Sequence, residues 1–586
     1  MMNVKKTVVK VVATLMAAMS LFSFAGCGGF GEEDHSDQTE ILVKNFGGGV
    51  GRLWLDKAIE RFNTAIGDRS YEEGKTGVYF KITSSTGVKS EGMRSDGTHL
   101  YFLQEKYSNC YALIEDDAVL DITDIVREQT LEEYGENRTI EDKIDSAYRF
   151  AMQGSNGKYY MLPHYETQAG ASYDVDLFTD RGFYLAKEGE GDPFNSSILG
   201  ETYYFTGDSD EKTVGNDGKM GTDDDGMPTT LNELVVMCEY IKDANIPVFS
   251  VPGSHLDYTN ALIEGLWTAL AGYEQRAAVA KLSGEVDYVT GISDEELWEG
   301  TGIMKPLTEK AQVTEETGYK AINQASRYYA IAFIELAYQQ SWFYGEYINK
   351  DYLHNLAHRA FILNGLSGYD VIASHVEGSY WYNEAKEDGQ FDKYKQYSED
   401  GSSVKNIGHW HMPTSYGNDV VTSEANKREE TVINAMTATV MINGNIDDRP
   451  GNEGKIQACK DFLKFLYTEQ ELKNFTALTG VSKALCDYPI DDSVLSQLDP
   501  YQQEIMRLRA NNSVVHQYGD NDMYRNYSHL LMYSAASDGY TPTVEPTDYS
   551  TVLELFTKDA TRKTWWAFEH LGQNADSWAE LMEKIR

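Results

Sequence analysis

The sequence predicts an α/β fold of two lobes, each built on a mostly parallel sheet flanked by helices. Three observations point there. Strand-like and helix-like stretches alternate from residue 40 onward, the order that produces parallel sheets through βαβ crossovers. The chain has 586 residues, of which 41% are hydrophobic. That length exceeds the ~250–300 residues that one core usually serves. Glycine-rich or small polar segments follow the first strands, at the carboxyl ends where open α/β sheets collect ligands.

Taken in order, the chain begins with Lys5, Lys6 and Lys10 and an uncharged apolar run from Val11 to Phe24. At about 1.5 Å per residue that run is too short to cross a hydrocarbon core of about 30 Å, so it reads as an export signal. It ends in Phe24-Ala25-Gly26-Cys27, which resembles the bacterial lipobox, with Phe24 where that motif usually carries Leu. The resemblance implies that residues 1–26 are removed and that Cys27 is diacylated. Two acyl chains, at about 0.8 kcal/mol per buried CH2, make a stable membrane anchor. An ordinary cleaved signal with an incidental Cys is the alternative. Residues 27–40, with Gly28, Gly29, Gly31 and five acids, read as a flexible tether.

Glu40 to Asn45 reads as a strand ending in Phe46-Gly47-Gly48-Gly49. Arg52 to Asn63 then puts Leu53, Leu55, Ala58, Ile59 and Phe62 on one helical face. A second strand, Val78 to Ile82, ends in Thr83-Ser84-Ser85-Thr86, and a third runs from His99 to Leu103. The glycine loop has neither the G-x-x-x-x-G-K-[ST] nor the G-x-G-x-x-G spacing of a phosphate cradle. Close backbone approach to a neutral ligand is the better inference.

The formal net charge is −41. Nucleic acid and anionic membrane surfaces would be repelled, and solubility on an exposed surface accounts for the charge. Cys110, Cys238, Cys459 and Cys486 lie far apart without CxxC or metal-ligand spacing. They read as buried thiols, with a disulfide left open.

From residue 157 a family resemblance becomes specific. Gly157-Lys158-Tyr159-Tyr160-Met161-Leu162-Pro163 and the following Tyr173-Asp174 and Phe178 resemble the G-K-x-Y-x-x-P strand and Y-N-x-x-x-F run of sugar-binding (family 1) extracellular solute-binding proteins, the lipoprotein components of bacterial ABC transporters. Asp174 stands where the family has Asn. Pro228-Thr229-Thr230-Leu231-Asn232-Glu233-Leu234 resembles its P-x-T-W-D-E-L helix start, with Leu231 and Asn232 in place of Trp and Asp. Val376 to Glu384 resembles its G-x-W segment, and Lys455 to Phe475 its C-terminal helix and S-x-E-x-Q stop, before Thr479-Gly480. The matches fall in family order over nearly the whole mature chain, with insertions expected at 183 to 226 and 385 to 408.

The resemblance implies a type II periplasmic-binding-protein-like fold with the ligand cleft between lobes. Lobe one would be 41–162 with 415–480, and lobe two 163–414 with 481–586. It implies a monomer that captures a carbohydrate, breaks no bond, requires no cofactor and delivers its cargo to ABC permease membrane subunits. A sugar site needs aromatic planes and hydrogen-bonding side chains. Forty Tyr, nine Trp and 22 Phe exceed what a core requires, and this complement favours an oligosaccharide.

The candidate ligand residues are Phe46, Gly48, Ser85, Glu166, Glu377, Tyr380, Trp381 and Trp410, with Trp267 and Trp342 readable either as core knobs or as stacking platforms. Glu166 is either a ligand contact just past the lobe crossing or a satisfied surface acid. Asp217, Asp223 and Asp225, within Asn216 to Gly226, could clip a structural Ca2+, although no bidentate Glu closes the loop as in an EF-hand. His409-Trp410-His411 would put two imidazoles on one strand face without an evident third ligand, and reads as strand histidines near a hinge. The rival readings are a surface glycan-binding protein without transport and a secreted glycoside hydrolase. No nucleophile elbow, HExxH helix or cysteine nucleophile signature appears.

Overall fold

The computed structural model describes residues 34–103, 113–114, 116–146, 148–154, 156–366, 368–398, 404–417, 429–436, 438–446, 451–517 and 551–585 apart from 571 and 573. The signal, Cys27 and Cys110 lie outside these residues.

The first strand, Thr39–Asn45, alternates buried and half-buried positions, with Thr39, Ile41, Val43 and Asn45 turned inward. It pairs in parallel on both sides, with Val78–Ser84 and with Leu100–Leu103. The helix Leu53–Ile66 buries Trp54, Leu55, Ala58, Phe62 and Ile66, one stripe at helical spacing. It stops at Gly67, whose φ of 52° a side chain would resist. That stripe meets the helix Glu453–Leu466, with Phe62 and Phe462 edge to face at 5.0 Å. Two more strands complete this first sheet: Thr439–Ile442 runs antiparallel to Leu100–Leu103 and Leu162–Pro163 antiparallel to Thr439–Ile442. Parallel pairing therefore holds among the three N-terminal strands, and the two strands at the lobe boundary make the sheet mixed.

A second sheet takes Phe249–Ser250, Ser374–Val376, Ala171–Asp174 and Ile407–His409, in that order. Its first pair is parallel and the other two antiparallel. Between the sheets lies a third, three-stranded one. Thr431–Met436 is its centre, parallel to Ser513–Gln517 and antiparallel to Glu166–Gln168. The chain thus passes from the first sheet through Leu162–Pro163 and Glu166–Gln168 into Ala171–Asp174, and returns through Thr431–Met436 to Thr439–Ile442. An isolated bridge from Glu166 to Ser482 adds a further passage. Two α/β bodies joined by adjacent strands are the result, a two-lobe architecture.

Two antiparallel additions decorate the second lobe. Tyr184–Leu185, Thr202–Thr206 and Asp192–Asn195 form a small sheet inside the insertion read at 183 to 226. A long ribbon, Gly284–Glu296 with Met304–Val313, is a second addition. Cys238, Cys459 and Cys486 are free and buried. Among the described residues no helix is long and apolar enough to cross a membrane.

Candidate functional site

The glycine loop after the first strand meets the helix Trp381–Glu387 of the second lobe. Gly49 donates its backbone N–H to Glu384 Oε1 at 2.7 Å, a contact between residues 335 apart in sequence. Gly49 and Gly51 hold φ values of 64° and 63°, the left-handed region where glycine is unstrained. Their missing side chains also make room. A Cβ on Gly51 would stand 1.7 Å from Glu387 Oε1, and one on Gly49 2.3 Å from the Tyr165 hydroxyl. A second tie lies alongside, where Asn383 Nδ2 donates to Thr479 O at 2.6 Å and Gln502 Nε2 bridges Asn383 Oδ1 and Thr479 O. Tyr258 and Tyr380 lie beside this helix, and burial pushes the hydroxyl pKa of each up. Burial, then the charge of Glu377, pushes the Glu384 carboxyl up to about 7. The two lobes therefore touch here, and the contact, a latch, is a carboxylate on a backbone amide.

Of the residues read from sequence, the structure brings Phe46, Gly48 and Ser85 to this edge. Phe46 is half-buried, a Cβ on Gly48 would meet Glu384 Oε1 at 3.0 Å, and Ser85 donates its N–H to Asn45 O at 3.1 Å. Tyr380 stands half-buried on the opposite lobe.

Glu166 is not a surface acid; it is buried where the strands pass between the sheets. Its Oε1 accepts from Arg509 Nε, Asn434 Nδ2 and Ser482 Oγ, each at 3.0 Å, and its Oε2 lies 2.8 Å from His516 Nδ1. Burial works to raise its pKa, but His516, Arg509 and these hydrogen bonds together hold the carboxyl well below the usual range.

The tryptophans correct the sequence reading. Trp381 is 0% exposed, packed against His358, Phe361, His375 and Tyr501, with Nε1 donating to Ser172 Oγ at 3.0 Å. It lies one turn before Glu384 on the same helix, buried where Glu384 is half-exposed. Trp410 donates to Ser374 Oγ at 2.9 Å, and Trp267 donates to Gln324 Oε1 under the Arg276 guanidinium. Trp342 is buried against Phe333. Each fills the second lobe and satisfies its surroundings there, so none offers a free face for stacking. Trp381→Phe should cost about 1–2 kcal/mol of stability through the lost hydrogen bond and volume, measured by denaturant unfolding.

The acidic loop read as a Ca2+ clip is closely hydrogen-bonded within itself. Asp223 is held by Arg507 in a two-pronged pair at 2.7 and 2.9 Å, while Asp217 accepts from Lys219 N and Asp225 from Gly221 N. Asp224, which the sequence reading passed over, is the buried carboxylate that holds Asp217 N and Thr222 Oγ1. The loop's carboxylates are held by its own amides and by Arg507, and Asp217, Asp224 and Asp225 gather around Thr222 Oγ1 at 3.4, 2.9 and 3.4 Å.

His409 and His411 divide their roles. His411 Nδ1 lies 2.9 Å from Glu430 Oε2; burial opposes its charge, but Glu430 prevails and pushes its pKa up to about 10. Burial and the His411 charge push His409 down to about 3. A charged imidazole beside a neutral one is no zinc pair. Because the folded-state pKa of His411 is raised, its stabilisation is complete below about pH 6.5 and is lost as pH rises to about 10. The stability gap between wild type and His411→Gln should therefore shrink over that range in urea titrations at each pH.

Glu377, a ligand candidate from sequence, is 1% exposed and faces His358 and His375 rather than the interlobe edge. Sequence reasoning missed Asn383, Glu384, Glu387, Tyr165 and Tyr258. Glu384 and Glu387, one turn apart just past the aromatic segment, were the available signal. A cavity of ≈ 400 Å³ lies elsewhere, between the ribbon and the helices Ala325–Gln339 and Thr564–His570.

Two α/β lobes that meet along a shared edge are the architecture. No family model and no curated protein matches the chain. Among solved structures it is similar to a chitin oligosaccharide binding protein at TM-score 0.49 and 15% identity, over 94% of this chain and 99% of that one. It is similar also to a bacterial solute receptor with an exclusive preference for β-D-galactopyranose, at 0.47 and 10%, covering 94% and 100%. A third likeness is to maltose-bound MalE3 of T. maritima, at 0.45 and 13%, covering 93% and 99%.

Proposed function

We propose that this chain is an extracytoplasmic solute-binding protein that captures a carbohydrate, an oligosaccharide by preference, by closing its two lobes, and delivers it to an ABC permease. The single observation that carries the reading is the latch from Gly49 N to Glu384 Oε1 at 2.7 Å, because it joins the glycine loop of one lobe to the aromatic-rich segment of the other. The ordered sequence resemblance, residue by residue, supports the class of ligand. The passages at 162–168, 431–442 and 479–485 act as hinges. Cys27 is the lipid attachment point that holds the protein at the outer face of the cell membrane.

The physics of capture is a population shift. A ligand that touches both lobes lowers the free energy of the closed state alone, so closure follows from differential affinity and no bond in the ligand breaks. Phe46 and Tyr380 supply apolar faces on opposite sides of the edge. Asn383, Glu384, Glu387 and the glycine-loop amides supply the hydrogen-bonding rim that a sugar requires.

Thermal unfolding against a panel of plant, host and microbial oligosaccharides tests the proposal, since binding to the folded state adds RT ln(1 + [L]/Kd) to stability. A rise with one glycan class and no release of reducing ends is the expected result. Release of reducing ends would make the protein a glycoside hydrolase, and no shift with any glycan would remove the carbohydrate assignment.

A further inference from the structure

Three potential metal donors meet in the interior of the second lobe, away from the latch. His358 lies on the helix His354–Ile362, His375 on the strand Ser374–Val376, and Glu377 in the turn that leads to Trp381–Glu387. Each side chain is 0% exposed. His358 Nε2 stands 2.9 Å and His375 Nε2 3.0 Å from the same oxygen, Glu377 Oε2. Its twin, Oε1, has no hydrogen-bond partner among the described residues, and neither has Nδ1 of either ring.

A buried hydrogen-bonded triad has every reason to spread its donors over both carboxylate oxygens, since an unsatisfied buried acceptor costs about 1–3 kcal/mol. Convergence of both rings on one point, with the second oxygen spare, is instead the layout of a coordination shell. The three ligand atoms lie within 4.8 Å of one another. Around a tetrahedral zinc with bonds of about 2.0–2.2 Å they would sit about 3.3 Å apart, so the pairs at Glu377 need open by only a few tenths of an ångström.

We propose that His358, His375 and Glu377 bind a zinc ion that ties the helix His354–Ile362 to the turn carrying Tyr380 and the latch helix. Two imidazoles and one carboxylate match Zn2+ rather than the all-oxygen shells of Ca2+ or Mg2+. The surroundings suit a held ion: Phe361 stacks on His375, and Trp381 lies 5.2 Å from His375 and 5.6 Å from His358, closing the site with apolar rings. Glu384 and Asp388 add negative charge near His358. A file of imidazoles leads inward, His255 with 45% of its side chain exposed, then His354 at 6.0 Å, then His358 at 5.7 Å between ring centres. The site stands whether or not the cleft binds sugar, since none of its three ligands forms part of the latch.

The test uses the detergent-solubilised full chain, stripped with a chelator and titrated with Zn2+ alone, then with Co2+ as a coloured substitute. One Zn2+ per chain, a higher unfolding temperature with zinc, and visible d–d bands of a four-coordinate N/O cobalt site are expected. His358→Gln and Glu377→Gln should each lower zinc affinity at least about 100-fold, whereas His409→Asn should not. Absence of stoichiometric binding by the wild type, or zinc affinity that survives His358→Gln, would overturn the assignment. If both ligand variants fail to fold, the cobalt spectrum of the wild type decides, and a spectrum of six-coordinate, oxygen-ligated cobalt counts against it.

Discussion

Arg509→Met should destabilise the folded chain by about 3–5 kcal/mol, the range for removing one partner of a buried ion pair. Arg509 donates from Nε to Glu166 Oε1 at 3.0 Å, and Glu166 is 1% exposed at the junction of the strands that cross between lobes. Without the guanidinium, Glu166 keeps His516, Asn434, Ser482 and the Leu485 N–H but loses its Arg509 charge partner. Equilibrium unfolding in urea measures the loss. The sign with pH follows from the lowered pKa of Glu166: its stabilisation is present above the unfolded carboxylate value of about 4.3 and fades as pH falls below it. Wild type and variant should therefore converge in acid. A loss below about 1 kcal/mol at pH 7 would mean that the hinge is not held by this pair.

Gly49→Val should weaken ligand binding by about 30-fold or more while leaving each lobe folded. A β-branched residue at φ 64° costs about 1–2 kcal/mol in the left-handed region. Its Cβ would also fall 2.3 Å from the Tyr165 hydroxyl, forcing the loop away from Glu384. Together these remove at least about 2 kcal/mol from the closed state, and every 1.4 kcal/mol is tenfold in affinity. Titration calorimetry with the glycan that stabilises the wild type reads the loss, and far-ultraviolet circular dichroism checks that the fold survives. Undiminished affinity would detach the glycine loop from the binding mechanism.

What was legible in the sequence was local. The strand Thr39–Asn45 and the helix Leu53–Ile66 announce themselves because their burial follows periods of two and of about 3.6 within one short segment. The glycine loop was legible because only glycine accepts its backbone angles. Glu166 was not: its partners lie 268 to 350 residues away, and no local pattern tells a hinge charge from a surface acid. Trp381 misled for a related reason. Trp381 and Glu384 are one turn apart on the same helix, and what buries the first and leaves the second half-exposed is the packing of Phe361 and Tyr501 on the indole, residues distant in sequence. The ribbon Gly284–Glu296 with Met304–Val313 went unread because most of its positions are exposed or half-buried and carry little hydrophobic alternation.

The central claim is that ligand binding and lobe closure are one event. Small-angle X-ray scattering of the chain, titrated with the oligosaccharide that raises its unfolding temperature, tests it most directly. A radius of gyration that falls in step with occupancy, and does not fall for Gly49→Val at equal ligand concentration, is the predicted result. A radius that stays constant while the glycan binds at full affinity would contradict the account, because the site would then lie within one lobe and the latch would have no part in capture.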